Sequence, residues 1–226
     1  MKAILASFHP EYCQLIASRK KSVELRKTKP KLDVPFKVYI YCTKGGINLY
    51  KQMVSGSVYT SPVEITNSYL TPINIKLNGK VIGEFICDRI YIINKDSIDW
   101  FYDDGFETIY FKDAKIIMGL DACLSDKQLK DYFSRFVGYG WHISDLVIYD
   151  KPKELREFVT VDREAINKCK HRERVYQNPD YVNGAWLFGG YVCNKSEMDW
   201  CCNCKRKPLK RPPQSWCYVE DGVVMA

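Results

Sequence analysis

Three charged residues near the N-terminus, Lys21, Glu24 and Arg26, have a spacing that suits ligand binding or catalysis. Apolar and polar residues alternate over residues 22–26, which predicts a strand, and side chains two positions apart in a strand lie on one face. Glu24 and Arg26 therefore share a face, and Lys21 directly precedes the strand. A carboxylate between two cations can bind a phosphate group while it orients the cations. The same residues could instead form a structural ion pair, and the pattern leaves both interpretations open.

A group of cysteines near the C-terminus forms a second candidate site. Its centre is a C-x-x-C pair, a spacing with which two thiolates can bind one Zn²⁺. The predicted ligands of a structural zinc site are Cys193, Cys201, Cys204 and Cys217. Cys202, or Cys169 with His171, offers alternative ligands. The other interpretation is that these thiols are reduced and bind no metal, on a tail that packs through Trp216 and Tyr218.

Trp141 and His142 lie in a predicted strand over residues 141–149 and are candidates for ligand contact. Successive side chains of a strand point to opposite faces, so at most one of the two residues faces a cleft. An aromatic ring there could stack on an unpaired base, a contact worth roughly 1–3 kcal/mol. The alternative for each residue is a place in the core or at its rim.

Hydrophobic periodicity predicts the elements that position these residues. Further strands are predicted at residues 2–7, 36–42 and 81–93, and helices at residues 11–18 and 121–136, the second capped by Ser125. Strands with few helices favour an α+β fold built on a small mixed β-barrel with flanking helices.

The amino-acid composition changes at two places in the sequence. Residues 47–78 are polar and contain two prolines, which predicts a surface insertion. Charges become dense after Phe158, and cysteines follow. We therefore predict a first domain over residues 1–158 and a basic, cysteine-rich C-terminal extension over residues 159–226.

Composition and charge restrict the class of protein. The 226 residues carry 34 Lys and Arg against 27 Asp and Glu, a net charge of +7, concentrated at residues 19–31 and 195–211. Two basic stretches suit a polyanionic partner, although they could be solvated faces. The apolar start is broken at Pro10, and no stretch approaches the roughly 18 apolar residues of a membrane span. We expect a cytoplasmic protein with reduced cysteines and no membrane segment.

Residues 19–27, RKKSVELRK, resemble the motif G-x-K-x-x-E-x-R of the ASCH domain family, part of the PUA-like superfamily. Lys21, Glu24 and Arg26 match the motif, and Arg19 stands where the motif has glycine.

Later segments extend this resemblance in the order that the family has them. Residues 35–44, 79–90 and 138–155 resemble the family's barrel strands, so that the resemblance covers about residues 1–158. Residues 212–220, PPQSWCYVE, are similar to the ends of ASCH-containing proteins of phage and Firmicutes.

The resemblance implies a module that binds RNA or a nucleotide in a cleft beside the barrel, with no required cofactor. A shallow cleft can receive a splayed nucleotide from single-stranded or structured RNA. The residues expected to contact the ligand are Lys21, Glu24, Arg26, Thr43, Lys44, Trp141 and His142. We expect Lys21→Ala and Arg26→Ala to weaken binding while the fold stays intact.

Two other functions remain open at this point. The family includes small bacterial amidohydrolases that deacetylate acetylated cytidine with a Lys, a Thr and a Glu. Lys21 matches their lysine, whereas Glu24 stands where their threonine falls, and an enzyme would use Lys21 and Glu24 as catalytic residues. The third possibility is a phage-encoded factor that binds a protein partner through Trp200 and Trp216.

Overall fold

The structure is a computed structural model, and it describes residues 2–66, 73–93, 97–102, 105–110, 121–125, 127–128, 138–160, 172–177, 187–193 and 207–220. In chain order its elements are β1 (Lys2–Phe8), α1 (Pro10–Ala17), β2 (Val23–Arg26), β3 (Phe36–Cys42), β4 (Asn48–Gln52), β5 (Val58–Ser61), β6 (Asn74–Lys76), β7 (Lys80–Cys87), β8 (Ile90–Ile93), β9 (Ser97–Tyr102), β10 (Gly105–Tyr110), β11 (Gly138–His142), β12 (Ser144–Glu154), the 3-10 helix η1 (Leu155–Glu157), β13 (Val159–Thr160), β14 (Arg172–Gln177), β15 (Leu187–Cys193), β16 (Lys207–Pro208) and β17 (Trp216–Glu220).

The first sheet has the strand order β12-β7-β3-β1-β17. β1 and β3 run parallel, and the other neighbours run antiparallel. The β-branched and aromatic residues of β3 favour a strand, and six of its seven residues are buried. Both faces of this sheet are therefore covered.

Side chains of β3 divide between two hydrophobic clusters, as the alternation of a strand requires. Val38, Ile40 and Cys42 join the larger cluster, which also includes Trp141 of β11. Tyr39 and Tyr41 join the smaller cluster on the other face. Burying side chains of this size stabilises the fold by roughly 1.5–3 kcal/mol each.

The second sheet has the order β10-β9-β8-β11-β2. β11 pairs antiparallel with both β2 and β8, and Trp141 stands opposite Glu24 in the pairing with β2. The Trp141 ring meets Phe36 of β3 edge-on, with 6.0 Å between ring centroids. The core thus lies where the two sheets and α1 meet. Together the strands and helix confirm the predicted α+β class.

Two predicted strands are each divided between the two sheets. The run at residues 81–93 is split into β7 and β8, and the run at residues 141–149 is split into β11 and β12. The breaks lie side by side, because the His142 N–H donates to the Arg89 carbonyl (3.1 Å). β12 also includes Pro152, which lies within the register shift between Ile148 and Lys153, where the ladder is irregular.

Residues 47–78, predicted as a surface insertion, contribute to the core. Their described part forms a three-stranded sheet of order β5-β4-β6, and Leu49 and Leu77 are buried in the larger cluster. Lys51, also buried, donates to the Tyr149 carbonyl (2.9 Å) and to Asp150 (2.9 Å). Val54 and Val63 of the same segment are exposed, so the segment buries only part of its residues, and the surface insertion stays a prediction.

The end of the chain belongs to the first sheet. β17 pairs antiparallel with β1, and Trp216 and Tyr218 pack against the larger cluster, as one of the two interpretations of the tail predicted. β16 pairs with β13. Residues 207–220 are therefore joined to the rest of the fold by backbone pairing, while the domain boundary near residue 160 stays a prediction.

The predicted helix at residues 121–136 lies largely outside the described residues. Within the described part, the Ser125 hydroxyl accepts a hydrogen bond from the Gln128 N–H (3.3 Å), as a capping residue does. Across the residues that the structure describes, no helix has the length and apolar character needed to span a membrane.

Candidate functional site

A cleft of about 490 Å³ opens where β1 ends, α1 begins and β2 passes beneath them. Its walls come from both ends of the sequence, and all three motif residues line it. The lining residues are Ser7, Phe8, His9, Tyr12, Lys21, Glu24, Leu25, Arg26, Lys27, Leu124, Gln128 and Gln214.

α1 ends in a Schellman motif, after which the chain reaches the cleft. The Arg19 and Lys20 N–H groups donate to the carbonyls of Ile16 (2.8 Å) and Leu15 (2.9 Å). Arg19 has a left-handed backbone with a φ of 56°, a conformation that favours glycine. The structure thus explains why the motif has glycine at this position. Lys21 follows at once, and its N–H also donates to Leu15 (3.1 Å).

Lys21 is a buried lysine, with 3% of its surface exposed. Its ammonium donates to the Ala122 carbonyl (2.7 Å), lies 3.4 Å from Glu24 Oε2, and sits 5.2 Å from the centre of the Tyr12 ring. Burial lowers the pKa of Lys21 from its usual value, and the Glu24 carboxylate opposes this shift. The ammonium is held in place with one carboxylate and one aromatic ring beside it.

Glu24 lies between the two cations, as the sequence predicts. Its Oε1 is 3.0 Å from Arg26 Nε, in a contact that is an ion pair rather than an aligned hydrogen bond. Burial and the nearby Glu24 and Glu11 carboxylates raise the pKa of the Tyr12 phenol. The floor of the cleft therefore presents a carboxylate acceptor and an ammonium donor next to each other.

Arg26 is almost enclosed by the protein. Nη1 donates to the Ser215 carbonyl (3.2 Å) and hydroxyl (3.1 Å), and Nη2 donates to the Ser7 carbonyl (2.8 Å). The guanidinium lies 5.0 Å from the centre of the Phe8 ring and 6.0 Å from that of Trp141. Arg26 thus has many of its donors engaged within the fold, which suits a residue that positions the site.

Four residues predicted to contact the ligand do not line the cleft. Trp141 is fully buried behind Arg26, so its ring is not available to stack on a base. His142 is partly exposed, and its Nδ1 lies 2.6 Å from Asp88 Oδ1. Thr43 continues from β3, and its N–H donates to the Phe8 carbonyl (2.9 Å). Lys44 is exposed and lies against Gly79.

The predicted zinc ligands lie mostly outside the described side chains. Cys201 and Cys204 are not among the described residues, and Cys193 is described by its backbone at the end of β15. Cys217 stands opposite Leu5 in the pairing of β17 with β1, and burial raises its pKa to about 11. Among the described residues no three His, Cys, Asp or Glu side chains converge as metal ligands. The zinc site stays a prediction.

Several lining residues were missed by the sequence analysis. Tyr12 was predicted as a residue of α1, but its place in the first turn of the helix gave no sign that its ring would lie 5.2 Å from the Lys21 ammonium. Gln128 and Gln214 had no signal either, because they lie about one hundred and two hundred positions from the motif. Their approach depends on the pairing of distant strands.

Comparisons with known proteins give weak similarities. No family model matches the chain. A curated glycogen synthase of Lactobacillus acidophilus is 26% identical over 143 residues, which are 62% of this chain and 29% of that protein, so the chain spans less than a third of that relative.

Among solved structures, an ASCH protein of Zymomonas mobilis matches at a TM-score of 0.41 and 20% identity, over 68% of this chain and 73% of that one. A point mutant of the same protein matches at a TM-score of 0.42 and 19% identity, over 69% and 77% of the two chains. Both structures are of ASCH proteins.

Proposed function

We propose that this chain is an ASCH-type module that binds RNA or a nucleotide in the cleft above Lys21 and Glu24. The observation that carries the proposal is the buried pair of Lys21 and Glu24 at the floor of a cleft of about 490 Å³. That volume lies in the range of small-ligand sites, roughly 300–1,000 Å³, and suits one nucleotide.

The charges around the cleft favour a polyanion. Among the described residues that line the cleft, Lys21, Arg26 and Lys27 are cations and Glu24 is the one acid. Lys27 is exposed at the rim, and the stretch of residues 19–31 supplies further exposed cations nearby. Exposed lysines attract phosphates at long range and through the release of counterions.

The floor of the cleft is suited to a base rather than to a phosphate. Glu24 accepts hydrogen bonds, Lys21 donates them, and together they match the paired donors and acceptors on a base edge. Tyr12 adds a half-buried ring at the wall on which a base could stack. We therefore assign Lys21 and Glu24 to base contact, Lys27 to phosphate contact and Arg26 to positioning.

A salt titration of binding to single-stranded RNA of about eight nucleotides tests the proposal. The logarithm of the affinity should fall linearly with the logarithm of the salt concentration, because phosphates are neutralised. Lys21→Met, which keeps the size of the side chain, should weaken binding about tenfold or more, a change of about 1.4 kcal/mol. Lys76→Ala is the matched control, since Lys76 is an exposed lysine of β6 outside the cleft. Absence of binding at low salt would refute the proposal.

The amidohydrolase alternative keeps one specific observation in its favour. Burial lowers the pKa of Lys21, and a lysine with a lowered pKa can act as a general base. Within the part of the chain that the structure describes, the hydroxyls that line the cleft are those of Ser7 and Tyr12, whereas Ser22 and Thr43 do not line it. A hydrolase of this kind would therefore use a different nucleophile from the family's threonine.

Incubation with acetylated cytidine and chromatography of the products tests this alternative. An enzyme should release cytidine, and Lys21→Met should abolish the release while Lys76→Ala does not. No product at an enzyme concentration equal to that of the substrate would exclude this activity.

A further inference from the structure

The C-terminal segment 213–215 forms one wall of the cleft. The Ser7 N–H donates to the Ser215 carbonyl (2.9 Å), and the Ser7 hydroxyl donates to the Pro213 carbonyl (2.7 Å). These bonds continue the pairing of β17 with β1 up to the edge of the cleft. The backbone on both sides of Gln214 is therefore fixed to the strand that opens the site.

Arg26 connects this segment to the motif residues. It donates to the carbonyl and hydroxyl of Ser215 and to the Ser7 carbonyl, while its Nε lies 3.0 Å from Glu24 Oε1. A continuous set of contacts thus runs from Ser215 through Arg26 and Glu24 to Lys21. Ser215 helps to position Arg26, and Arg26 in turn holds the carboxylate of Glu24.

Gln214 has an exposed side chain on this rigid wall. Among the described residues its carboxamide has no hydrogen-bond partner, whereas the carboxamide oxygen of Gln128, which also lines the cleft, accepts from the N–H (2.9 Å) and hydroxyl (3.0 Å) of Ser125. A carboxamide both donates and accepts, so it can form two hydrogen bonds with a base edge. Residues held by a fixed backbone discriminate best between ligands.

We propose that segment 213–215 belongs to the ligand site, with Gln214 determining which base is bound and Ser215 positioning Arg26. This inference rests on the proposed function, because it needs a nucleotide in the cleft. It adds that the site is built from both ends of the sequence and that base preference lies in the C-terminal segment rather than in the motif.

Binding of three homopolymeric RNAs of about eight nucleotides, made of A, C or U, tests the inference by fluorescence anisotropy. The full chain should prefer one of them, and Gln214→Ala should reduce that preference about tenfold, or about 1.4 kcal/mol. The slope of affinity against salt should not change, because Gln214 contacts no phosphate. Gln52→Ala is the matched control, since Gln52 of β4 does not line the cleft.

The outcomes separate the inference from the proposed function. If Lys21→Met weakens binding but Gln214→Ala leaves the ratios among the three RNAs within about twofold, the inference is wrong and the proposed function stands. A full chain that binds all three RNAs equally also refutes the inference. If none of the RNAs binds, both fail. Thermal melting of each variant checks that the exposed Gln214 side chain does not affect folding.

Discussion

Burial keeps the thiol of Cys87 protonated well above the pH at which an exposed cysteine ionises. Cys87 is fully buried, and this burial, together with the Asp88 carboxylate, raises its pKa to about 12. An unfolded cysteine ionises near pH 8.5. Between these values the folded state binds more protons than the unfolded state, so the free energy of unfolding falls as the pH rises.

We predict that the protein loses stability as the pH rises from about 8.5 towards 12, and that Cys87→Ala loses less over the same interval. The variant removes one of the raised thiols, while Cys217, with a pKa of about 11, keeps part of the effect. Urea unfolding at several pH values measures the difference. Equal pH slopes for the variant and the parent chain would contradict the prediction.

Arg26 lies where the sequence analysis predicted it, but it has contacts that the sequence analysis did not predict. The motif placed it beside Glu24, which the structure confirms. Its partners Ser7 and Ser215 could not be foreseen, because Ser215 lies 189 positions away and meets it through the pairing of β1 with β17. A residue with these contacts contributes to folding as well as to the site.

We therefore expect Arg26→Ala to lower the free energy of unfolding by about 1.5–3 kcal/mol, the range for hydrogen bonds to charged groups. Arg26→Lys should recover only part of the loss, because an ammonium cannot reproduce the planar fork of donors. Denaturant unfolding gives the values, with Arg156→Ala, at an exposed arginine of η1, as the control. A change as small as that of the control would show that the hydrogen bonds of Arg26 do not stabilise the fold.

At the scale of elements, the turn from α1 into β2 depends on one left-handed residue. Arg19 has the left-handed backbone conformation although its side chain makes that conformation less favourable than it is for glycine. Its Nη2 donates to the Leu146 carbonyl (3.3 Å). Asparagine tolerates this conformation, whereas a β-branched residue does not.

We predict that Arg19→Val is less stable than Arg19→Asn by about 1–2 kcal/mol. Both variants lose the bond to Leu146, so their difference reports the backbone conformation. Thermal unfolding followed by circular dichroism measures it. Equal stability would mean that the helix end relaxes into another geometry.

The elements also show where the sequence was informative and where it was not. β3 and α1 were predicted within one residue at either end, because each has one periodicity along its whole length. The sequence analysis did not predict the bends at residues 88–89 and 143, because apolar residues continue across both. Hydrophobic periodicity does not show where a strand passes from one sheet to another. Such bends depend on contacts between distant residues.

At the scale of the whole molecule, the contacts of Trp216 bear on two interpretations of the C-terminal strand: that it packs on the fold, or that it presents a surface for a protein partner. Its ring lies 6.0 Å from Trp141 and 5.4 Å from Tyr218, and its Nε1 donates to the Thr28 hydroxyl (3.1 Å). The structure therefore assigns Trp216 to the attachment of β17, while Trp200 lies outside the described residues.

We predict that Trp216→Ala destabilises the fold by less than the roughly 3–5 kcal/mol of a fully buried tryptophan but by more than 1 kcal/mol. Trp216→Phe should retain most of the stability and lose the bond to Thr28. Urea unfolding of the two variants provides the measurement. An unchanged unfolding midpoint in Trp216→Ala would restore the interpretation as an anchor for a partner.

The pairing of β1 with β17 has a consequence for synthesis on the ribosome. Ser7 and its partner Pro213 are 206 positions apart, so β1 emerges on the order of 10–40 s before the strand that covers its edge. During that interval the edge can pair with other chains, which is a risk of aggregation. Arg26 likewise lacks its hydrogen-bond acceptors on Ser215 until that residue has been synthesised. A nascent chain therefore cannot complete the cleft until residues 213–215 have left the ribosome.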